Sequence, residues 1–344
     1  MTMADTIDEN LPMAAKDTET RDGVSFTNLD QLVFDGAGAT KRDLLDYLDG
    51  AADRIIPVLR DRPLSVIRVQ RDSKPFMQKN LPKYTPEWVE RISLWAETSK
   101  RDVSYALCND RPTLLWFANQ RAVEYHPTLV RADRLDRVTH LILDLDPPPP
   151  SSGHVGVGKV AFDAAVRVAH LVRQALDDLG VQGAVKTSGA KGVHVFVPID
   201  VDTTTIDDAA AATRAIAARA EGHDPTIATT AFVKDQREGK VFVDSTRVGG
   251  ATVVAAYSPR ARPGLPVSYP VAWDELDSID PADYTVHTVL GSLDRRDPWA
   301  DLMPEPQRLS DDLVAEGHAI PVSRVQAMHE GKRRAKARRD ADGP

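Results

Sequence analysis

Apolar residues recur at helical spacing from Thr40 onward. Leu44, Leu45, Leu48, Ala51, Ala52, Ile55, Ile56 and Leu59 fall on one face of a 3.6-residue period, and Pro63 follows the end. Thr40-Lys41-Arg42-Asp43 opens this run as a capping box, because the hydroxyl and the acid three residues later can each satisfy a backbone N–H. Strand-like runs follow at 65–70, 104–108 and 114–117. Residues 139–146 read as a strand ended by Pro147 to Pro150, with a loop continuing through 158. A long helix is predicted over 159–179, with Phe162, Val166, Ala169, Val172 and Leu176 inward and Gly180 closing it. Strands at 184–187 and 193–198 flank a Ser-Gly-Ala-Lys-Gly turn, and an alanine-rich helix covers 205–220. Further strand signals lie at 241–244 and 252–257. Strand and helix alternate without a glycine-rich phosphate loop, which predicts an α+β domain with mixed sheets.

The ends differ in character from this middle. Residues 1–22 are polar and aperiodic and are expected to be disordered. The catalytic domain is expected over 23–305. Residues 306–344 are expected to form a helical or loose C-terminal extension, closed by a solvated basic tail with six basic residues and no acid over 332–339.

Composition narrows the function classes. With 344 residues, 42% apolar and 27% charged, the chain can bury a proper core. No apolar run can span a bilayer: the best candidate, 141–145, is interrupted by Asp144 and followed by Asp146. The N-terminus lacks a basic start followed by an apolar stretch, so a cytoplasmic protein without membrane contact is expected. One cysteine, Cys108, excludes an internal disulfide and a thiolate zinc cluster, and is expected to be buried and inert. A net charge of −8 argues against a protein that coats DNA, so nucleic-acid contact must come from local basic patches and be sensitive to salt.

Three segments carry candidate chemistry. In Leu143-Asp144-Leu145-Asp146, strand alternation turns both acids to one face and both leucines to the other. Their spacing of about 6.5 Å lets the carboxylates lean together around divalent ions. Without a cation, two such buried acids would repel and raise each other's pKa. Val241-Phe242-Val243-Asp244 repeats the pattern and offers a third carboxylate, which would complete a site for two ions about 3.5–4 Å apart, as phosphoryl transfer uses. Between them, Lys186-Thr187-Ser188-Gly189-Ala190-Lys191-Gly192-Val193-His194 forms a turn whose backbone N–H groups, with Ser188, Lys191 and His194, could cradle a triphosphate. His126 and Arg260 could add positive charge beside it. Taken singly, each segment also has a plain structural reading: surface acids at a strand end, a hairpin turn, a solvated cation.

In this order, LILDLDP, TSGAKGVHVFVP and VFVDS resemble the three catalytic motifs of the archaeo-eukaryotic primase superfamily. The match is to the polymerase module of bacterial ligase D and its stand-alone primase-polymerase relatives. It runs from about Val24 to Trp273 and includes PFMQKNLPKYTPEWV, YALCNDRPTLLWFANQRAVEYHP and VVAAYSPRARP. The resemblance implies a primase-type catalytic core with a sheet like that of the RNA-recognition motif, plus an N-terminal α/β module. It implies Asp144, Asp146 and Asp244 as catalytic metal ligands for two ions, Mn2+ or Mg2+. It implies a nucleotide site in which Ser188, Lys191, His126 and Arg260 hold the phosphates with His194 nearby, and Phe76 as an aromatic that stacks on the nucleotide base or DNA. Asn28 and Lys41 match a site for a DNA 5′-phosphate. The expected function is template-dependent nucleotide addition, preferentially of ribonucleotides, to DNA primer ends in gap filling or in break or excision repair. The expected partners are gapped or end-containing duplex DNA, nucleoside triphosphates and a separate ligase or end-binding repair protein, in a bacterial, nucleoid-associated setting.

The chain also departs from the family pattern. Met77 replaces the second of two neighbouring phenylalanines, Gln31 stands where a 5′-phosphate lysine belongs, Ser245 replaces a tryptophan, and the loop over 148–158 is longer. The loss of one cation predicts weaker 5′-phosphate recognition. Two alternatives compete with this reading. A phosphatase of the haloacid dehalogenase type also uses a strand ending in DxD, but it wants Thr or Val where Pro148 stands. A catalytically inactive DNA-end-binding scaffold would not need the three acids, Lys191 and Arg260, all of which remain.

Overall fold

Thr40 caps the first helix through the reciprocal bonds of a capping box with Asp43. The predicted single helix is two, Lys41–Gly50 and Ala52–Leu59. The chain breaks at Ala51, and Gly50 lets Leu290 approach closer than any Cβ would permit. The computed structural model describes residues 18–70, 74–96, 100–148, 159–248, 251–293 and 297–322. Residues 1–17 and 323–344, with the basic tail, and nearly all of the 148–158 loop lie outside them. Residues 19–21, placed by the sequence in a disordered stretch, pair as the strand Glu19–Arg21 with Val24–Phe26. Arg21 ties that hairpin down through Asp46 and Asp49.

The N-terminal module is an antiparallel sheet ordered Phe76–Gln78, Leu64–Arg68, Arg101–Ala106, Arg91–Ala96, with Ala122–Pro127 also paired to Leu64–Arg68. The run 114–117 is not a strand; it lies inside the helix Arg111–Asn119. Asp110 caps that helix at Thr113 N and Pro112 stands in its first turn, while Leu114 to Phe117 are all buried. A short, wholly apolar run carries no periodicity, and the cap decides its conformation.

The second sheet has six strands, ordered Ala228–Thr229, Val241–Asp244, His140–Asp146, Val193–Pro198, Ala184–Thr187 and Pro270–Val271. Every pair is antiparallel except the first. The helices Lys159–Asp178 and Ile206–His223 lie against it and bury Phe162, Val166, Val172 and a row of alanines. The expected strand at 252–257 does not form. Val253 to Ala256 run buried as irregular backbone with one bridge from Thr252 to Thr128, and Tyr257 turns the chain at φ +66°. Mixed sheets and packed helices thus give the α+β architecture that the sequence predicts.

Beyond residue 305 the chain stays on this body. Gln307 bonds Asp200 N and Gln182, and Leu309 and Leu313 are buried. The helix Asp311–Ala319 then lies along Ile206–His223, where Arg219 grips Glu316. No helix of the described residues is long and apolar enough to cross a membrane. Cys108 is buried, and burial raises its thiol pKa, as an inert core thiol requires.

Candidate active site

The register of the six-stranded sheet builds one row of charged side chains. Asp144 lies opposite Asp244 on one side and His194 on the other, and His194 lies opposite Lys186. Directly paired residues share a sheet face, and Asp146, two positions from Asp144, points the same way. His194 Nε2 stands 3.2 Å from Asp144 Oδ1, and Lys186 Nζ stands 2.9 Å from His194 Nδ1. Burial and the adjacent Lys186 push His194 down to about 4, so the ring is neutral at pH 7. It steadies Asp144 by donating a hydrogen bond, not by carrying a charge.

Arg247 supplies the cation instead. Its Nη2 lies 2.8 Å from Asp144 Oδ2 and its Nε 3.2 Å from Asp244 Oδ2. Burial alone would raise Asp144, but His194 and the guanidinium outweigh it and hold the carboxyl below its usual range. Burial and the neighbouring Asp144 charge raise Asp146 to about 6. The nearby Arg247 and Lys191 cations pull the other way but do not prevail.

The turn between Ala184–Thr187 and Val193–Pro198 is pressed against these acids. Gly192 allows it: a Cβ there would stand 2.6 Å from Leu145 O. Gly189 has φ +67°, and a Cβ would meet Arg260 Cγ at 2.6 Å. Lys191 Nζ donates to the carbonyls of Pro147 and Pro148, 3.0 and 3.1 Å away, at the end of the acid-bearing strand. Ala190 N and Gly192 N both donate to Ser188 Oγ. Those two amides are therefore engaged within the turn, and any phosphate cradle here rests on side chains more than on the expected backbone N–H groups.

A cleft of about 480 Å3 gathers Asp144, Asp146, Ser188, Lys191, His194 and Arg260, with His126 on its wall. Phe76 does not line it; Met77 and Lys79 do. Neighbours on a strand face opposite ways, and Phe76 lies instead under the Arg68 guanidinium, 5.9 Å from its ring centre. Asp244 sits behind Arg247, with Oδ1 bonded to Thr246.

Glu124, Lys186 and Arg247 are functional candidates that the sequence motifs do not single out. Glu124 accepts from Ala261 N and pairs with His126 Nε2 at 2.8 Å and Arg260 Nε at 3.1 Å. Burial would raise Glu124, but His126, Arg260 and the Ala261 amide prevail and hold it at about 2. Arg260 also donates through Nη1 to Ser188 O, so Glu124 fixes two of the expected phosphate ligands at once. The signal for Glu124 is its place two residues before His126 on an alternating strand. The signal for Lys186 is a lone lysine inside an apolar run.

A second cleft, of about 370 Å3, holds Asn28, Gln31, Lys41, Arg68 and Arg121, and no acid of the described residues lines it. Lys41 Nζ donates to Thr27 O at 2.8 Å and Asn119 Oδ1 at 2.6 Å. Burial, with Arg121 nearby, lowers it to about 8. Gln31 accepts from Arg121 Nη2 at 2.8 Å and so holds a guanidinium in the cleft.

Whether the acids suit a divalent metal follows from their chemistry. They are hard oxygen donors, two of them in direct cross-strand register, and Asp146 is raised by burial first and then by the Asp144 and Asp244 charges. Among the described residues, however, no three His, Cys, Asp or Glu side chains are arranged to hold a metal ion as they stand. Arg247 already occupies the oxygens between Asp144 and Asp244. The donor set fits a hard divalent cation, and taking one up requires the guanidinium to give way.

Comparison with known proteins identifies the family. Residues 40–299 match the family model for the LigD primase-polymerase domain. The chain is 29% identical over 289 residues to the bifunctional non-homologous end joining protein LigD of Bacillus subtilis, covering 83% of this chain and 45% of that protein. It is 33% identical over 270 residues to LigD of Mycobacterium tuberculosis, covering 75% of this chain and 34% of that protein. The chain thus spans less than half the length of these relatives. The solved polymerase domain from Mycobacterium tuberculosis ligase D in complex with DNA superposes with a TM-score of 0.70 at 30% identity, covering 82% of this chain and 99% of that one. The chain belongs to the LigD primase-polymerase domain family.

Proposed function

We propose that the protein is a template-dependent, metal-dependent nucleotidyltransferase that extends DNA primer ends, preferentially with ribonucleotides, during gap filling or break or excision repair. One observation carries the reading: Asp144, Asp146 and Asp244 share a sheet face beside a cleft that Lys191, Arg260 and Ser188 also line. Acids face cations across a space of nucleotide size. Family membership displaces the phosphatase alternative.

In this reading Asp144 and Asp146 would hold two ions, manganese preferred, and Asp244 would serve mainly the one nearer the primer 3′-hydroxyl. The ions, when bound, would supply charge neutralisation for in-line phosphoryl transfer. The protein's own residues do the rest. Lys191 and Arg260 neutralise the triphosphate, with Ser188 and His126 adding hydrogen bonds. His194 keeps Asp144 oriented. Met77 and Lys79, which line the cleft, would meet the base or ribose, while Phe76, under the Arg68 guanidinium and outside the cleft, would stack on DNA.

Asn28, Lys41 and Arg121 would bind a downstream 5′-phosphate. Gln31, which promised a weaker site, bonds Arg121, and in this reading that guanidinium would supply a cation to the cleft. Sealing the product falls to a ligase, and handling of broken ends to an end-binding protein, as partners.

The test is primer extension on a gapped duplex with and without a 5′-phosphate, with ribo- or deoxynucleotides, under manganese or magnesium. Incorporation that Asp146→Ala abolishes while duplex binding persists is the expected result. Activity retained in that variant removes the assignment of the acids. Tight end binding without incorporation under either metal favours the inactive scaffold.

A further inference from the structure

Arg247 touches two of the three acids, and the proposed nucleotide addition leaves it without a task. It stands three residues after Asp244, on the turn that follows the strand Val241–Asp244. The contacts of the two acids divide by oxygen. Asp144 Oδ1 faces His194 Nε2 at 3.2 Å, and Asp244 Oδ1 accepts from Thr246 N and Oγ1 at 2.8 and 2.6 Å. The two Oδ2 atoms point to Arg247: its Nη2 and Nε lie 2.8 and 3.1 Å from that of Asp144, and its Nε 3.2 Å from that of Asp244. Each carboxylate therefore has one oxygen fixed by a neighbour and one oxygen given to the same guanidinium.

A divalent ion shared by Asp144 and Asp244 needs those same Oδ2 lone pairs. Two cations cannot occupy them together, because like charges at contact distance in a half-buried site repel strongly. The exposure of the partners fits an exchange. The acids are nearly buried, with side chains 11% and 8% exposed, whereas the Arg247 side chain is 34% exposed and lines the cleft shared with Lys191 and Arg260. The guanidinium can leave without opening the core, and a triphosphate in that cleft would give it new anionic partners.

We propose that Arg247 is a resident counter-cation that competes with the divalent metal for Asp144 and Asp244, and so sets the metal affinity of the site. This inference rests on the metal-binding reading above. It assigns Arg247 as a positioning residue: it keeps the acid row charge-balanced and pre-aligned, at the cost of weaker metal binding before substrate arrives.

The test measures Mn2+ binding to the full chain without nucleotide, by calorimetry or by the spin-resonance signal of free Mn2+, in wild type, Arg247→Ala and Arg247→Lys. Loss of one charge-assisted bidentate contact should tighten Mn2+ binding about tenfold in Arg247→Ala, with Arg247→Lys in between. In chelator, Arg247→Ala should melt lower than wild type, and added Mn2+ should raise its melting temperature by more. Unchanged or weaker Mn2+ binding in a folded Arg247→Ala protein overturns the proposal. If Arg247→Ala does not fold, Arg247→Lys decides by the same comparison. Absence of Mn2+ binding in wild type and both variants instead overturns the metal-site reading itself, and this inference with it.

Discussion

Lys186 Nζ lies 2.9 Å from His194 Nδ1 and 2.5 Å from Ser268 Oγ, in a site where Lys186 has no solvent exposure. Burial pushes the Lys186 amine well below its usual pKa, and the position of that amine fixes which edge of the imidazole meets Asp144. With Nδ1 accepting from Lys186, the ring proton sits on Nε2 and is donated to Asp144 Oδ1. Groups bonded directly to a metal ligand, as His194 is to Asp144, commonly carry about 10–100-fold in metal affinity or activity, and Lys186 stands one bond further out. Lys186→Met keeps the apolar stem and removes only the donor. It should lower Mn2+ affinity or nucleotide addition by about tenfold, the low end for such partners, while the melting temperature stays near that of wild type. Unchanged affinity and turnover in a folded Lys186→Met protein would show that the lysine is merely packing.

Much of this row is legible in the sequence because strand alternation is a local rule. It turns Asp144 and Asp146 to one face whatever the neighbouring strands do. Arg247 is not legible, since it meets Asp144 only through the pairing of two strands whose register depends on the whole sheet. The same dependence displaces Phe76 from its expected place. The pairing of Phe76 with Arg68 and Met77 with Ile67 decides which of the two adjacent side chains enters the cleft. The run at 114–117 misleads for another reason. Four buried apolar residues in succession satisfy a strand and a helix equally, and only the Asp110 cap breaks the tie. At 252–257 the apolar pattern marks burial correctly, but packing against Tyr125 replaces sheet pairing.

Glu124 is the group that Arg260 and His126 share, so its charge should matter to both fold and substrate. Removing one partner of a buried ion pair leaves the other uncompensated, at a cost of about 3 kcal/mol. Glu124→Gln should lose stability of that order in urea and raise the nucleotide KM more than it lowers kcat. The pH dependence has a definite sign. Glu124 is held at about 2 against an ordinary 4.5, so its contribution is complete above 4.5 and is lost as pH falls toward 2. Wild type should lose that increment over this window and Glu124→Gln should not. Parallel stability curves for the two proteins would refute the assignment.

Lys41 and Arg121 share a cleft, lined by no acid of the described residues, that should prefer a 5′-phosphate to a 5′-hydroxyl. Arg121→Ala removes a charge-assisted donor and should cut that preference about tenfold in duplex binding. Lys41 adds a pH signature. Its ordinary value of 10.5 is lowered to about 8, so the ammonium, and with it part of the phosphate preference, is lost as pH rises through about 8. Lys41→Arg stays charged there and should hold its preference to higher pH. Anisotropy titrations of a gapped duplex with and without the phosphate, on both sides of that pH, check both outcomes. A preference that does not respond to pH or to Arg121→Ala would place the 5′ end elsewhere.

Gly317 decides whether the C-terminal helix can stay on the body. A Cβ at this position would collide with the Ala211 carbonyl group, and a backbone carbonyl inside the helix Ile206–His223 cannot rotate away as a side chain could. The Arg214 guanidinium reaches Gly317 O, and Arg219 holds Glu316 on the same contact, so lifting the helix also breaks these bonds. Gly317→Ala should therefore destabilise by about 1–3 kcal/mol despite the better helix propensity of alanine. Residues 308–320 should become the first site of proteolysis. Gly222→Ala is the matched control, because a Cβ there meets nothing within 4 Å. It should be neutral or stabilising by about 0.5–1 kcal/mol, the ordinary gain for glycine to alanine in a helix. Equal stability of the two variants would mean that the C-terminal helix is not held against Ala211 in solution.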